Sequence, residues 1–194
     1  MEQTFGTVKY LLFFIVIIAA AVLALILAGW YPVVLVNGSP ILKTTWEKAK
    51  LGAINFTNAQ NRLAGYPSLN FYASDNKEIL REVETGTLTF LIQDGVIQQE
   101  GPEILSGLKH LSAERAASEL KSRPDLGEAA KSVYGLELDD FRDVVLLPQA
   151  REDLMKEALG ERQLDFEVWL RGIKRNARVR LIFVPYQWDG EAVR

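Results

Sequence analysis

The sequence predicts a mainly helical protein with a small terminal β pairing, preceded by a single N-terminal transmembrane helix. Three observations indicate this class. The chain carries no charge from Tyr10 to Leu42, and apolar residues recur with helical spacing over most of the remainder. Two short strand patterns stand far apart, at 33–36 and 178–183. We therefore expect a membrane anchor over residues 1–31 and one helical domain over residues 32–194.

The apolar run from Leu11 to Trp30 carries the prediction of an anchor. A helix rises about 1.5 Å per residue, so a run of this length matches the hydrocarbon core of a bilayer, and Trp30 and Tyr31 fall where aromatic side chains favour the interface. Two alternatives stay open. A cleaved signal peptide normally has a shorter apolar region and a cleaner cleavage site. A buried core helix normally shows a polar stripe, which this run lacks.

The first domain elements are predicted from turn and capping signals. Val33–Val36 has strand composition, and Asn37-Gly38 favours a tight turn. Thr44 and Glu47 have the spacing of a capping box, which predicts a helix through about Arg62. Its expected buried side consists of Trp46, Ala49, Ala53 and Phe56.

A second helix is expected to follow the capping signature at 75–78 and to end near Gly95. Gln98–Pro102 contains glycine and proline, so we expect a surface loop there. Four further helical segments are expected, with a kink or restart at Pro148. They are Ser112–Ser122, Asp125–Tyr134 closed by Gly135, a longer one from Asp139 or Asp140, and one from Phe166 to about Asn176.

The last element is a strand near Arg178–Phe183, because apolar and basic residues alternate there. A lone strand exposes unpaired backbone groups, and pairing them is strongly favoured. We therefore expect Val33–Val36 to pair with this last strand, which closes the domain on itself.

Composition excludes several functions. The chain has no cysteine, so thiol catalysis, disulfides and cysteine metal sites are ruled out, and its net charge of −3 without a basic cluster argues against nucleic-acid binding. His110 is the single histidine and has no partners in the sequence pattern. The pairs Asp139-Asp140 and Glu152-Asp153 point apart on a helix. We expect no enzyme activity, no cofactor and no metal.

Three segments resemble the chaperone domain of the SurA, PrsA and PpiD family. Val34–Ile41, followed by Trp46-Glu47-Lys48, is similar to the opening strand, turn and helix of that domain. Tyr134–Phe141 resembles a helix start in the same family, and Trp169–Val179 is similar to its closing helix and strand. Relatives commonly carry a parvulin isomerase domain, whose glycine-rich and histidine-bearing segments have no counterpart here.

The resemblance implies a chaperone that binds unfolded or nascent secreted and membrane polypeptides, without peptidyl-prolyl isomerase activity. Such binding needs exposed apolar area. The peptide-binding candidates are Phe56, Tyr66, Leu69, Phe71 and Tyr72. Two alternatives remain: these residues simply cover the core, or the domain is a scaffold or assembly subunit that binds one dedicated partner.

The expected location is the bacterial cytoplasmic membrane, with a single pass through the bilayer at Leu11–Trp30 and the domain on the extracytoplasmic side. Lysine placement alone does not fix this orientation. Lys43, Lys48 and Lys50 follow the run, which would place the domain in the cytoplasm, but long domains translocate largely regardless of charge.

Overall fold

A computed structural model of the chain describes residues 2–194, except for the side chains of residues 2–12 and 21. The first helix, α1, spans Glu2–Leu27, and its described side chains from Phe13 onward are all exposed. The alternative of a buried core helix is therefore wrong.

No helix among the residues that the structure describes is both long enough and apolar enough to cross a bilayer. The described side chains of α1 lie within 13–27. Those of Leu11, Leu12 and Ala21, which belong to the predicted run, lie outside the described residues. This finding overturns the transmembrane part of the predicted fold class, the anchor over 1–31 and the single-pass location derived from it.

A three-stranded antiparallel sheet joins the two ends of the domain. β1 (Pro32–Val36) lies between β2 (Ser39–Leu42) and β3 (Val179–Leu181). Leu35 faces Arg180 across the β1–β3 pair, so the predicted pairing of the terminal strands is confirmed. The predicted turn is confirmed as well, since Asn37 and Gly38 adopt φ values of 48° and 90°.

β2 was not anticipated. Pro40 cannot donate a backbone hydrogen bond, and it is tolerated here because β2 lies at the edge of the sheet. The tight turn then sets the register, with Val36 opposite Ser39. α2 begins at Lys43 directly after this strand, and no side chain caps it, so the predicted capping role of Thr44 is wrong.

Seven helices follow α1, and all of them lie between β2 and β3 in the sequence. Two short helices, α5 and α6, each continue into a π-helical turn, at Ala130–Tyr134 and Arg142–Leu146 respectively. The helices are α2 (Lys43–Leu63), α3 (Lys77–Ile104), α4 (Leu108–Ser122), α5 (Leu126–Ala129), α6 (Leu138–Phe141), α7 (Leu147–Glu161) and α8 (Phe166–Asn176).

The core has two apolar clusters. The larger one lies under the sheet, where Val33, Val34 and Val36 are at most 1% exposed and pack with residues of α2, α3 and the π-helical turns. The smaller cluster lies where α3, α4, α7 and α8 meet. Its buried members are Ile97, Leu108, Met155, Leu159, Phe166 and Leu170.

α3 is longer than predicted, because it passes through Gly95 and Pro102 and ends at Ile104. The predicted end near Gly95 and the predicted loop at 98–102 are therefore wrong. Of the two glycines in this stretch, Gly101 allows close packing, whereas Gly95 has room for a Cβ. A Cβ at Gly95 would lie 3.7 Å from the Val36 side chain, and one at Gly101 would lie 2.5 Å from Leu108 Cδ2.

Replacement of Gly101 by alanine is expected to destabilise the fold. The added methyl group would also lie 3.2 Å from Met155 Sδ, and both Met155 and Leu108 are at most 1% exposed, so neither side chain has room to move. We expect G101A to lower the free energy of unfolding by about 1–3 kcal/mol, despite the better helix propensity of alanine. Urea denaturation of the full chain measures the change.

Gly160→Ala in α7 is the matched control, because a Cβ there would meet no atom within 4 Å. We expect G160A to be neutral or to raise the free energy of unfolding by up to about 1 kcal/mol. Equal stabilities of G101A and G160A would contradict the close packing of α3 against α4 and α7.

The segment after β3 returns across α3. The Tyr186 hydroxyl donates to Glu84 Oε2 at 2.5 Å, and the backbone N–H of Val193 donates to Thr89 Oγ1 at 2.9 Å. Burial, together with the contact with Glu84, raises the pKa of Tyr186 to about 12. The neutral phenol is therefore favoured in the folded chain.

Removal of this hydroxyl in Y186F is expected to cost about 1 kcal/mol, a value reduced for the partial solvent exposure of the group. A raised pKa stabilises the fold fully below about pH 10, and this contribution is lost as the pH rises through about 12. The difference in unfolding free energy between wild type and Y186F should accordingly shrink above about pH 10. A difference that stays constant up to about pH 12 would contradict the assignment.

Candidate functional site

An apolar groove of about 340 Å³ runs between α2 and α3. Each helix contributes four positions spaced i, i+3, i+4 and i+7, which lie on one face of a helix. Small residues occupy the middle of both faces, and a phenylalanine ends each. The lining is Ala49, Gly52, Ala53 and Phe56 from α2, and Val83, Gly86, Thr87 and Phe90 from α3.

The third wall of the groove comes from the two π-helical turns. Tyr134 ends the first turn, and Val144 and Val145 lie in the second. The Tyr134 ring stacks on Phe56, with the ring centres 5.3 Å apart, and also contacts Phe141 at 4.9 Å. π-helical turns occur frequently at functional sites, because the extra residue redirects the side chains that follow.

The groove offers no charge to a ligand. None of the described lining residues is ionised at neutral pH, since Tyr134 is the one titratable residue among them and burial raises the pKa of its hydroxyl further above its usual range. The Thr87 hydroxyl is already engaged, since it donates to the Val83 carbonyl at 2.8 Å and accepts from Trp46 Nε1 at 3.2 Å. The lining thus presents apolar surface and contains no paired acid and base.

Polar contacts fix the distance between the two helices. Lys50 of α2 contacts Glu84 of α3 at 3.4 Å and Glu47 at 2.9 Å. Burial lowers the pKa of Lys50, but the hydrogen bond to Glu47 and the charges of both glutamates outweigh burial and raise it. Together with the Trp46–Thr87 hydrogen bond, this charged contact holds the groove open in a preformed shape.

The groove contains one of the five predicted peptide-binding residues, Phe56, which is 38% exposed. Tyr66 and Tyr72 are exposed on the loop after α2, at 66% and 70%. Leu69 is half-buried and exchanges two hydrogen bonds with Asn58 through its backbone. Phe71 is only 2% exposed, so for this residue the alternative of a core role is correct.

Sequence reasoning missed the α3 wall. Gly86 lies within α3 and faces open space, since a Cβ built on it meets no atom within 4 Å. The missed signal is a pattern shared by the two helices, in which small residues take positions i+3 and i+4 and a phenylalanine takes position i+7. His110 lies elsewhere, exposed on α4, with Nε2 3.2 Å from Glu114 Oε1.

Comparisons of the chain with protein-family models, with curated proteins and with solved structures find no match. The resemblance to SurA-type chaperones therefore stays a prediction. The groove between α2 and α3 is the feature of the described residues that bears on function.

Proposed function

We propose that the groove between α2 and α3 binds apolar segments of non-native polypeptides, so that the protein acts as a chaperone without isomerase activity. The observation that carries this proposal is the uncharged, preformed groove with two helical walls. An amphipathic segment that places apolar residues at i, i+3, i+4 and i+7 fits such a groove. The occupant is a client segment with this pattern.

The lack of fixed polar contacts supports a broad client range. Small-molecule and catalytic sites usually carry a few convergent polar groups that orient one ligand. Here the Thr87 hydroxyl is engaged inside the protein, and the rest of the lining is mainly apolar. Binding through apolar side chains alone is adaptable and discriminates weakly.

Exposed aromatic surface next to the groove also favours a client-binding role. Phe56 and Phe90 keep 38% and 37% of their surface exposed, although both belong to core-facing patterns. A folded protein gains free energy by burying such area, at about 25 cal/mol per Å². The exposed rings are therefore available to stabilise a bound segment.

Filling the groove should abolish client binding without harm to the fold. The substitution Gly86→Leu places a side chain in open space within the groove, and it also replaces a helical glycine by a better helix former. We expect G86L to weaken binding of a fluorescein-labelled amphipathic peptide by about tenfold or more in fluorescence anisotropy. Its free energy of unfolding should rise by about 0.5–1 kcal/mol.

Gly172→Leu is the matched control. Gly172 lies on α8 outside the groove lining, and a Cβ there also meets no atom within 4 Å. G172L should gain similar helix stability and keep wild-type peptide affinity. Peptide affinity of G86L equal to that of G172L would refute the groove as the binding site.

The scaffold alternative predicts a different client range. Suppression of aggregation by the full chain, tested on several unrelated unfolded proteins, separates the two functions. A chaperone should suppress aggregation of most of them, and G86L should lose this activity while G172L keeps it. Suppression of none, with tight capture of one native protein, would favour a dedicated scaffold.

A further inference from the structure

A second cavity, of about 650 Å³, opens between the C-terminal half of α3, the first turns of α4 and the start of α7. Its size is within the range of small-ligand sites. The residues that shape its chemistry are Gln98, Leu108, Lys109, His110, Leu147 and Arg151. No acidic side chain belongs to its lining.

Arg151 is a buried cation in the wall of this cavity. The residue is only 8% exposed, and its Nε donates to Asp94 Oδ1 at 3.1 Å. Nη1 is buried and has no hydrogen-bond partner among the residues that the structure describes. A buried donor without a partner is costly, so a native structure that keeps one calls for an explanation.

Each oxygen of the Asp94 carboxylate already accepts a hydrogen bond, which leaves other N–H donors of Arg151 for a further acceptor. The second oxygen of Asp94, Oδ2, accepts from Gln98 Nε2 at 2.8 Å. Burial raises the pKa of the Asp94 carboxyl and lowers the pKa of the Arg151 guanidinium, because desolvation outweighs their mutual attraction. An additional anionic acceptor at the guanidinium would relieve this cost.

Positive potential converges on the cavity from α4. This 15-residue helix starts after Gly107 without a capping side chain, so the positive end of its dipole faces the cavity that its first turn lines. Lys109 and His110 lie on that first turn, and both are exposed. The negative charge of Asp94 balances the positive charge of Arg151, so Lys109 gives the cavity a net charge of about +1. Such a charge suits a monoanion better than a phosphate dianion.

We propose that this cavity binds a carboxylate group carried on an apolar body. The carboxylate would be held by Arg151, Lys109 and the start of α4, and the apolar part would contact Leu108 and Leu147. A medium-chain fatty acid and the C-terminal apolar residue of a polypeptide both carry this chemistry. The site is separate from the groove, so the inference does not depend on the proposed function.

Calorimetric titration of the full chain with decanoate and with N-acetylleucine tests the proposal. We expect saturable binding of at least one of the two acids, and binding about tenfold weaker for the matching amide. Binding of decanoate alone indicates a fatty acid as the source, and binding of N-acetylleucine indicates a polypeptide C-terminus. Equal affinity for acid and amide, or no saturable binding of either acid, would overturn the proposal.

Charge reversal at the exposed Lys109 of α4 tests the site with a variant that we expect to fold. We expect K109E to lower the affinity for the bound acid by about tenfold, whereas K121E, at the far end of the same helix, should change it by less than about twofold. Equal effects of K109E and K121E would also overturn the proposal. G86L should leave the acid affinity unchanged, which separates this site from the groove.

A test of the role of Arg151 requires a variant that leaves no unpaired buried charge. The double substitution D94L/R151M removes both partners of the buried pair and keeps the volume roughly constant. We expect this variant to fold and to lose the preference for acid over amide. Retention of that preference would refute the assignment of Arg151 as a ligand-binding residue.

Discussion

The antiparallel pairing of β1 with β3 is the constraint from which the rest of the domain follows. β1 lies in the centre of the sheet and has both edges occupied, by β2 and β3, so its backbone groups are paired on both sides. Asn37 reinforces the junction, because its side chain accepts from the Arg178 N–H at 2.7 Å and its own N–H donates to the Arg178 carbonyl at 2.9 Å. The helices from α2 to α8 lie between β2 and β3 in the sequence. Because both of these strands pair with β1, this helical stretch begins and ends at the same sheet.

α3 transmits this constraint from the sheet to both candidate sites. Gly95 lies against the Val36 side chain, and Gln99 Nε2 donates to the Val36 carbonyl at 3.0 Å, so α3 is fixed against the central strand. The N-terminal half of α3 forms one wall of the groove. Its C-terminal half contributes Gln98 to the lining of the second cavity and Asp94 as the partner of Arg151. One helix, held at one point by the sheet, therefore positions two sites of different chemistry.

Local signals in the sequence predicted the parts of the fold that depend on neighbouring residues. The helix Phe166–Asn176 was predicted correctly, because its apolar periodicity is regular and Asp165 caps it through a hydrogen bond from the Val168 N–H. Gly135 was placed correctly as the end of a helical segment, since its φ of 64° is a property of that one residue. The restart at Pro148 was also correct, with α7 beginning at Leu147.

The features that sequence reasoning missed depend on residues distant in the chain. Gly95 and Pro102 have the composition of a helix end, yet α3 continues past both, and the close contact of Gly101 with Leu108 appears only once α3 packs on α4. The groove has the same origin, because neither the small residues of α2 nor those of α3 indicate a site until the two faces oppose each other. The predicted anchor relied on the length of the apolar run, on Trp30 and Tyr31 and on the lack of a polar stripe, which do not report how a helix sits in the structure.

The proposed binding role requires that the groove stay open. A larger side chain at Ala53 or Gly86 would bury apolar area in the groove, and at Gly86 it would also improve helix propensity. The neighbouring contacts show that this region is otherwise well satisfied, since Lys50, Glu84 and Trp46 all have partners across the two helices. Under the proposed function, the open apolar surface is a cost in stability that client binding offsets, and the proposed acid ligand would likewise satisfy the unpartnered donor of Arg151.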